Sequence, residues 1–200
     1  MKRSTKAILL IFLVLLIDQA SKTWIKNNMH LGEEFKVLGD FFLIHFTENN
    51  GMAFGLEFAG EYGKLFLTVF RLVAVGVLGY GVHYAIKNRY HWGFVYCLSL
   101  ILAGALGNII DSVFYGLIYG YAPILHGRVV DMLYFPIIRG YYPDWFPFWG
   151  GESFIFFRPV FNIADSAISV GVILILIFQK TFFESQKERK NDLQSEVIEV

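Results

Sequence analysis

The sequence predicts an all-α membrane protein, a bundle of four transmembrane helices carrying a small extracytoplasmic β-element. Two observations lead there. Hydrophobic residues make up 56% of the chain and charged residues only 17%, an imbalance that the surface of a water-soluble domain does not accommodate. Four apolar stretches, about 7–24, 65–86, 92–110 and 161–178, each approach the roughly 20 residues needed to cross a bilayer core. A chain of 200 residues suffices for one domain, so 1–200 is read as a single polytopic unit ending in a charged, frayed tail over 180–200.

The first stretch imitates a cleavable signal peptide, with Lys2, Arg3 and Lys6 ahead of an apolar run. Asp18, Gln19 and Lys22 follow that run directly. They are poor material for a small-residue cleavage site and good material for a retained helix that enters a polar cavity. After it come two β-prone runs split by Gly39-Asp40, read as a hairpin within 35–46. In the third stretch Gly104, Asn108 and Asp111 fall at i, i+4 and i+7, on one helix face. Ala103, Gly104, Ala105 and Gly107 beside them allow a neighbouring helix to come close. The loop 111–160 is rich in aromatics, Gly and Pro, as in Tyr141-Tyr142-Pro143-Asp144-Trp145, a composition suited to the headgroup region.

Orientation follows from the cations. Segments 1–6, 87–91 and 180–200 hold three, two and four of the 17 Lys and Arg residues, so both termini are expected in the cytoplasm. Loops 25–64 and 111–160 then lie outside. The formal charge of zero gives no reason to expect a nucleic-acid partner. The single cysteine, Cys97, excludes an intrachain disulfide and reads as a small core hydrophobe.

The chemistry is expected where acids stand at membrane depth, since each needs a partner, a water-filled cavity or a function. Asp131 is embedded in Val129-Val130-Asp131-Met132-Leu133 and reads as a buried acid. Asp165 stands one turn after Asn162 at the start of the fourth span. Two converging carboxylates can hydrolyse a peptide without metal or covalent intermediate, one ionised to take a proton from water and one protonated to polarise the carbonyl. Taken singly, Asp165 is also a plausible first-turn acid favoured by the helix dipole, and Asn108 is also interhelical hydrogen-bond glue.

Other chemistries have less behind them. His30, His45, His83, His91 and His126 show no paired metal-ligand spacing, so neither metal nor cofactor is expected. No GxSxG or GxxxxGK[ST] motif occurs. Spacing leaves open a Ser/Lys dyad of Lys22 with Ser112, Ser153 or Ser166. A small transporter or proton relay through Asp18, Asp111, Asp131 and Asp165 is the main alternative function, although all four acids fall toward the outer side. A non-catalytic scaffold would leave Asp131 unexplained.

Five blocks, in order, resemble the prolipoprotein signal peptidase (signal peptidase II) family. Asp18-Gln19-Ala20-Ser21-Lys22 is similar to its DQxxK, and Asn49-Asn50-Gly51-Met52-Ala53-Phe54 to its NxGxAF. Gly104-Ala105-Leu106-Gly107-Asn108-Ile109-Ile110-Asp111 resembles GGALGNxxD, Val129-Val130-Asp131 resembles VVD, and Phe161-Asn162-Ile163-Ala164-Asp165-Ser166 resembles FNxAD[ST]. The resemblance implies an aspartic endopeptidase of the bacterial inner membrane, with Asp131 and Asp165 as its catalytic dyad near the outer face. It implies Asn49, Gly51, Asn108, Asp111, Arg128, Asn162 and Ala164 on the substrate side of the site, with Asp18 and Lys22 as structural support. The implied substrate is the signal peptide of a lipid-modified prolipoprotein, cut just before a diacylglyceryl-cysteine. The partners are membrane lipids, and a monomer is expected. Two features depart from the family. Ser112 stands where the family usually has arginine after the GNxxD acid, leaving Arg128 as the candidate for that charge, and the spacers 112–130 and 132–160 are longer than usual.

Overall fold

α1 spans Arg3–Asn28 and α2 spans Gly60–Lys87. α3, Trp92–Ile110, opens on His91, whose ring accepts the Gly93 N–H at 3.1 Å. This computed structural model describes residues 3–50 and 60–198, so Gly51 and the remainder of its motif block lie outside the described residues. α3 does not stop at its expected end. It passes into a π turn, Asp111–Tyr115, and a short α4, Gly116–Ile118. π turns inside helices often mark functional sites, and this one begins on a fully buried carboxylate, Asp111.

Four helical stretches are long and apolar enough to cross a membrane: Ser4–Asn28, Tyr62–Lys87, Trp92–Ile118 and Ile163–Glu184. Large apolar side chains such as Phe12, Leu16, Phe66, Val77, Leu117 and Leu176 stand exposed along all four, an arrangement that only lipid can solvate. The protein is a multi-pass membrane protein built on a four-helix bundle. α5, Ile163–Ile198, continues well past the expected span. The stretch 180–198 is therefore helical rather than frayed, as its Glu, Gln, Lys and Leu content favours.

The small β-element is larger than one hairpin. β1, Glu34–Leu38, and β2, Phe42–Asn49, form the expected pair, with Gly39 taking a φ of 55° at the turn. β2 also pairs with β3, Val129–Tyr134, which pairs in turn with β6, Val160–Phe161. The result is a four-stranded antiparallel sheet ordered β1-β2-β3-β6. Central position explains why β3 is buried at nearly every residue and reads as a continuous apolar run rather than an alternating one. The register shifts between Ile44 and Thr47, which sets Thr47 opposite Asp131. Such irregularities re-aim side chains beside functional sites.

β4, Ile138–Tyr141, and β5, Ser153–Phe156, form a separate hairpin that closes over the aromatic stretch. There the Tyr142 ring lies 5.2 Å from Phe146 and 5.0 Å from Phe154. The main sheet rests on the C-terminal end of α1 through Ile25, Met29, Phe46, Tyr115, Val130 and Met132. α3 and α5 meet through small residues: a Cβ on Gly104 would lie 2.2 Å from the Ala164 carbonyl oxygen, so only glycine permits that approach.

Candidate active site

Sequence reasoning began the fourth span at Phe161. In the structure Phe161 is strand and the helix starts at Ile163, because Asn162 caps it. The Asp165 N–H donates to Asn162 Oδ1 at 2.8 Å, and the Asn162 N–H donates back to Asp165 Oδ2 at 3.3 Å. This reciprocal pair is a capping box. It also orients the half-buried Asp165 carboxylate, whose Oδ1 accepts a bond from Asn108 Nδ2 at 2.8 Å.

Asn162 joins the two acids. Its Nδ2 donates to Asp131 Oδ1 at 2.7 Å, while the other Asp131 oxygen receives Asn49 Nδ2 at 3.3 Å. Asp131 is only 4% exposed. Burial, and next the negative charge of Asp165, raise its pKa from 3.8 to about 7, with the bonds from Asn49 and Asn162 opposing.

Beneath this pair lies a buried ion cluster. Lys22, at 0% exposure, places its Nζ 2.9 Å from Asp18 Oδ2, 2.9 Å from Asp111 Oδ2 and 3.1 Å from Asn108 Oδ1. Three donors thus meet three acceptors, which a buried ammonium requires. Lys22 has no acceptor to offer, so it fixes the Asn108 amide with oxygen toward the lysine and nitrogen toward Asp165. Gln19 Nε2 ties the cluster further, donating to Asp111 Oδ1 at 2.9 Å and Asp18 Oδ2 at 3.1 Å. Both carboxylates also reach the backbone of the two elements that carry the acids. Asp18 Oδ1 accepts the Ala164 N–H at 2.9 Å, and Asp111 Oδ2 accepts the Val130 N–H at 3.2 Å.

The structure thus brings together Asp18, Lys22, Asn49, Asn108, Asp111, Asp131, Asn162, Ala164 and Asp165. Asp111 is wholly enclosed by Lys22, Gln19 and Val130, a bracing position rather than an open one, and Ala164 meets the cluster through its backbone N–H. Arg128 does not fill the place suggested for it. Its guanidinium goes to Glu48 at 3.2 Å and over the Tyr121 ring, because β2 and β3 set Glu48 opposite Val130. The Ser/Lys alternative is also unsupported by the geometry: Lys22 is committed to carboxylates, and Ser112 Oγ donates to the Asn108 carbonyl at 2.9 Å. Among the described residues no three His, Cys, Asp or Glu side chains converge as metal ligands.

Sequence reasoning passed over one face of α2. Lys64, Thr68 and Arg71 repeat the i, i+4, i+7 spacing that drew attention to α3. Lys64 Nζ donates to the Asn50 carbonyl at 2.9 Å, Thr68 Oγ1 to the Leu125 carbonyl at 2.9 Å, and Arg71 Nη1 to Ser112 Oγ at 3.1 Å. A cation inside an apolar run was the available signal.

The family model for signal peptidase (SPase) II matches residues 10–181. The chain belongs to the signal peptidase II family. That makes it a peptidase. Curated lipoprotein signal peptidases agree over most of their length: that of Porphyromonas gingivalis is 50% identical over 184 residues, covering 84% of this chain and 80% of the relative. The Amoebophilus asiaticus protein is 37% identical, covering 88% and 78%, and a Staphylococcus aureus one is 32% identical, covering 92% and 93%. A bacterial membrane enzyme solved by the in meso method is similar in fold at a TM-score of 0.60 and 30% identity, over 88% of this chain and 90% of that one. A second such structure gives 0.59 and 28%, over 86% and 91%. Membership in signal peptidase II speaks against the transporter alternative, and each of the four acids of the supposed relay is held by lysine, amide or backbone donors.

Proposed function

We propose that this signal peptidase II is an aspartic endopeptidase that removes signal peptides from lipid-modified prolipoproteins, cutting just before the diacylglyceryl-cysteine. It would act as one polytopic unit in the bacterial cytoplasmic membrane, with both termini inside and the site at the outer face. The observation that carries this reading is the linkage of Asp131 and Asp165 through Asn162, two carboxyls from different elements held on one asparagine. Like charges so placed favour a single shared proton.

With its pKa raised to about 7, Asp131 is the member that holds the proton. The base of the pair is then Asp165, whose carboxylate stands at a helix N-terminus and accepts the Asn108 and Asn162 N–H donors. Water attacks the scissile carbonyl carbon as Asp165 takes one of its protons and Asp131 gives its own to the carbonyl oxygen. A neutral gem-diol results. Asp165 then protonates the leaving nitrogen while Asp131 recovers a hydroxyl proton and the C–N bond breaks, so both acids return to their starting states. Asn49 and Asn108, each bonded to one acid, face the peptide, and the acyl chains of the modified cysteine stay in the surrounding lipid.

Purified protein in detergent, given a lipidated precursor peptide, should cut it immediately before the modified cysteine and leave an unlipidated peptide intact. Asp165→Asn should abolish cleavage, and chelators should not alter it. Cleavage that survives in Asp165→Asn, or loss on chelation restored by zinc, would refute the acid dyad.

A further inference from the structure

A guanidinium within a membrane-spanning helix is costly unless something answers its charge. Arg71 lies in the span Tyr62–Lys87. Its Nη1 donates to Ser112 Oγ at 3.1 Å, and that hydroxyl in turn donates to the Asn108 carbonyl at 2.9 Å. One turn of helix thereby connects the arginine to the residue whose amide holds Asp165. Among the described residues, the acids whose charges act on it are Asp165, Asp131 and Asp111.

The surrounding charges point to a specific job. Lys22 answers two acids, Asp18 and Asp111, and is taken up by them. Lys26 and Arg128 both serve Glu48, outside the dyad. Lys64 is bonded to the Asn50 carbonyl farther along α2. A dyad with one shared proton carries a negative charge. Arg71, tied through Ser112 to Asn108, is the cation joined to the Asp165 side of that pair.

We propose that Arg71 is a positioning residue of the peptidase: held by Ser112, it supplies the positive charge that lets the Asp131–Asp165 pair keep one carboxylate ionised. The role rests on the acid-dyad reading above. It also explains how a chain with serine after the GNxxD acid remains complete, since the charge comes across from α2 to that same serine.

Besides Arg71, Lys22 from α1 acts on Asp131, while Asp18 from α1, Lys64 from α2 and Asp111 from the π turn surround Lys22 and Arg71, and Arg128 ahead of β3 is turned to Glu48. The test changes Arg71 and the serine that holds it, and leaves those groups as they are. Rates of cleavage of the lipidated precursor are measured from pH 5 to 9 for the wild type, Arg71→Gln, Arg71→Lys and Ser112→Ala. Loss of an opposite charge raises a carboxyl's pKa, here by about one unit. The falling limb of kcat/KM should therefore move about one pH unit upward in Arg71→Gln, stay in place in Arg71→Lys, and move the same way by less in Ser112→Ala.

A second readout needs no activity. The melting midpoint of each protein is compared with that of the same protein carrying Asp131→Asn as pH rises. The pH at which the difference levels off should shift upward by a similar amount with Arg71→Gln, and by less with Ser112→Ala should the Gln variant fail to fold. Unshifted profiles in folded variants overturn the proposal, whatever happens to the rate. A wild type that melts as expected but cuts no lipidated peptide refutes the dyad reading instead.

Discussion

Asp131→Asn should make the protein more stable and inactive, with the gain in stability confined to neutral and alkaline pH. Asp131 is buried and its pKa is raised from 3.8 to about 7 by burial and by Asp165. The sign follows from linkage. Below about pH 4 the carboxyl is neutral in both folded and unfolded chains and costs nothing. As pH rises the unfolded chain ionises first, so the folded state loses stability until about pH 7 and carries the whole penalty above it. At 1.36 kcal/mol for each unit, that penalty is about 4 kcal/mol. An amide removes the penalty but can accept only one of the two donors now bonded to Asp131, Asn49 Nδ2 and Asn162 Nδ2, and an orphaned donor costs about 1–3 kcal/mol. The net gain at pH 8 is about 2 kcal/mol, or roughly 4–8 °C in a chain of this size. Thermal melts in detergent at pH 5 and pH 8 measure it beside the peptide assay, where loss of a general acid or base costs about two to four orders of magnitude. Asp144→Asn is the control, since Asp144 is an exposed turn residue. A stability difference that does not grow between pH 5 and pH 8 would refute the reasoning, as would a tenth of normal cleavage surviving in Asp131→Asn.

Lys22→Met should cost about 3–5 kcal/mol, since it leaves Asp18 and Asp111 facing each other in a buried space; a melting midpoint near the wild type would refute it. Gly107→Ala puts a Cβ 2.5 Å from Asp18 Oδ2 and 3.1 Å from the Ala164 Cβ. It should lower kcat by about 10²-fold through misplacement of the α5 N-terminus, and unchanged turnover would show that the neighbours give way. A reporter active only in the cytoplasm should signal when fused after Val200 and stay silent near Gly60; the reverse pattern would invert the orientation.

What could be read from the residues were the local periodicities. The hairpin at Gly39-Asp40, the four spans and the shared face of Gly104, Asn108 and Asp111 depend on neighbours within one or two turns or strands. The Asn162–Asp165 capping box was equally local and could have been read from its spacing, which would have moved the helix start from Phe161 to Ile163. Arg128 misled because nearness in sequence to Asp131 stood in for nearness in space. Its partner Glu48 arrives only through the β2–β3 register, and long-range strand pairing leaves no mark in either segment alone. Arg71 was different. Its position among apolar residues was visible, but which acids it answers depends on how α2 packs against the π turn.

The ion cluster and the dyad are one construction. The residue just before each acid is held by a different carboxylate of the cluster: Val130 by Asp111, and Ala164 by Asp18. Those carboxylates come from α3 and α1, while the acids they position come from β3 and α5, so neither acid is located by its own element alone. Lys22 lies between the two carboxylates and also orients Asn108, the amide that holds Asp165. A single buried cation therefore governs the placement of both acids at once. That accounts for keeping a lysine and two carboxylates at depth where well-packed apolar residues of the same volume often give equal or greater stability. It also means that the Asp131–Asp165 geometry is set by the buried side chains of Asp18, Lys22 and Asp111, and that α1 helps to build the site along with the strand and helix bearing the two acids.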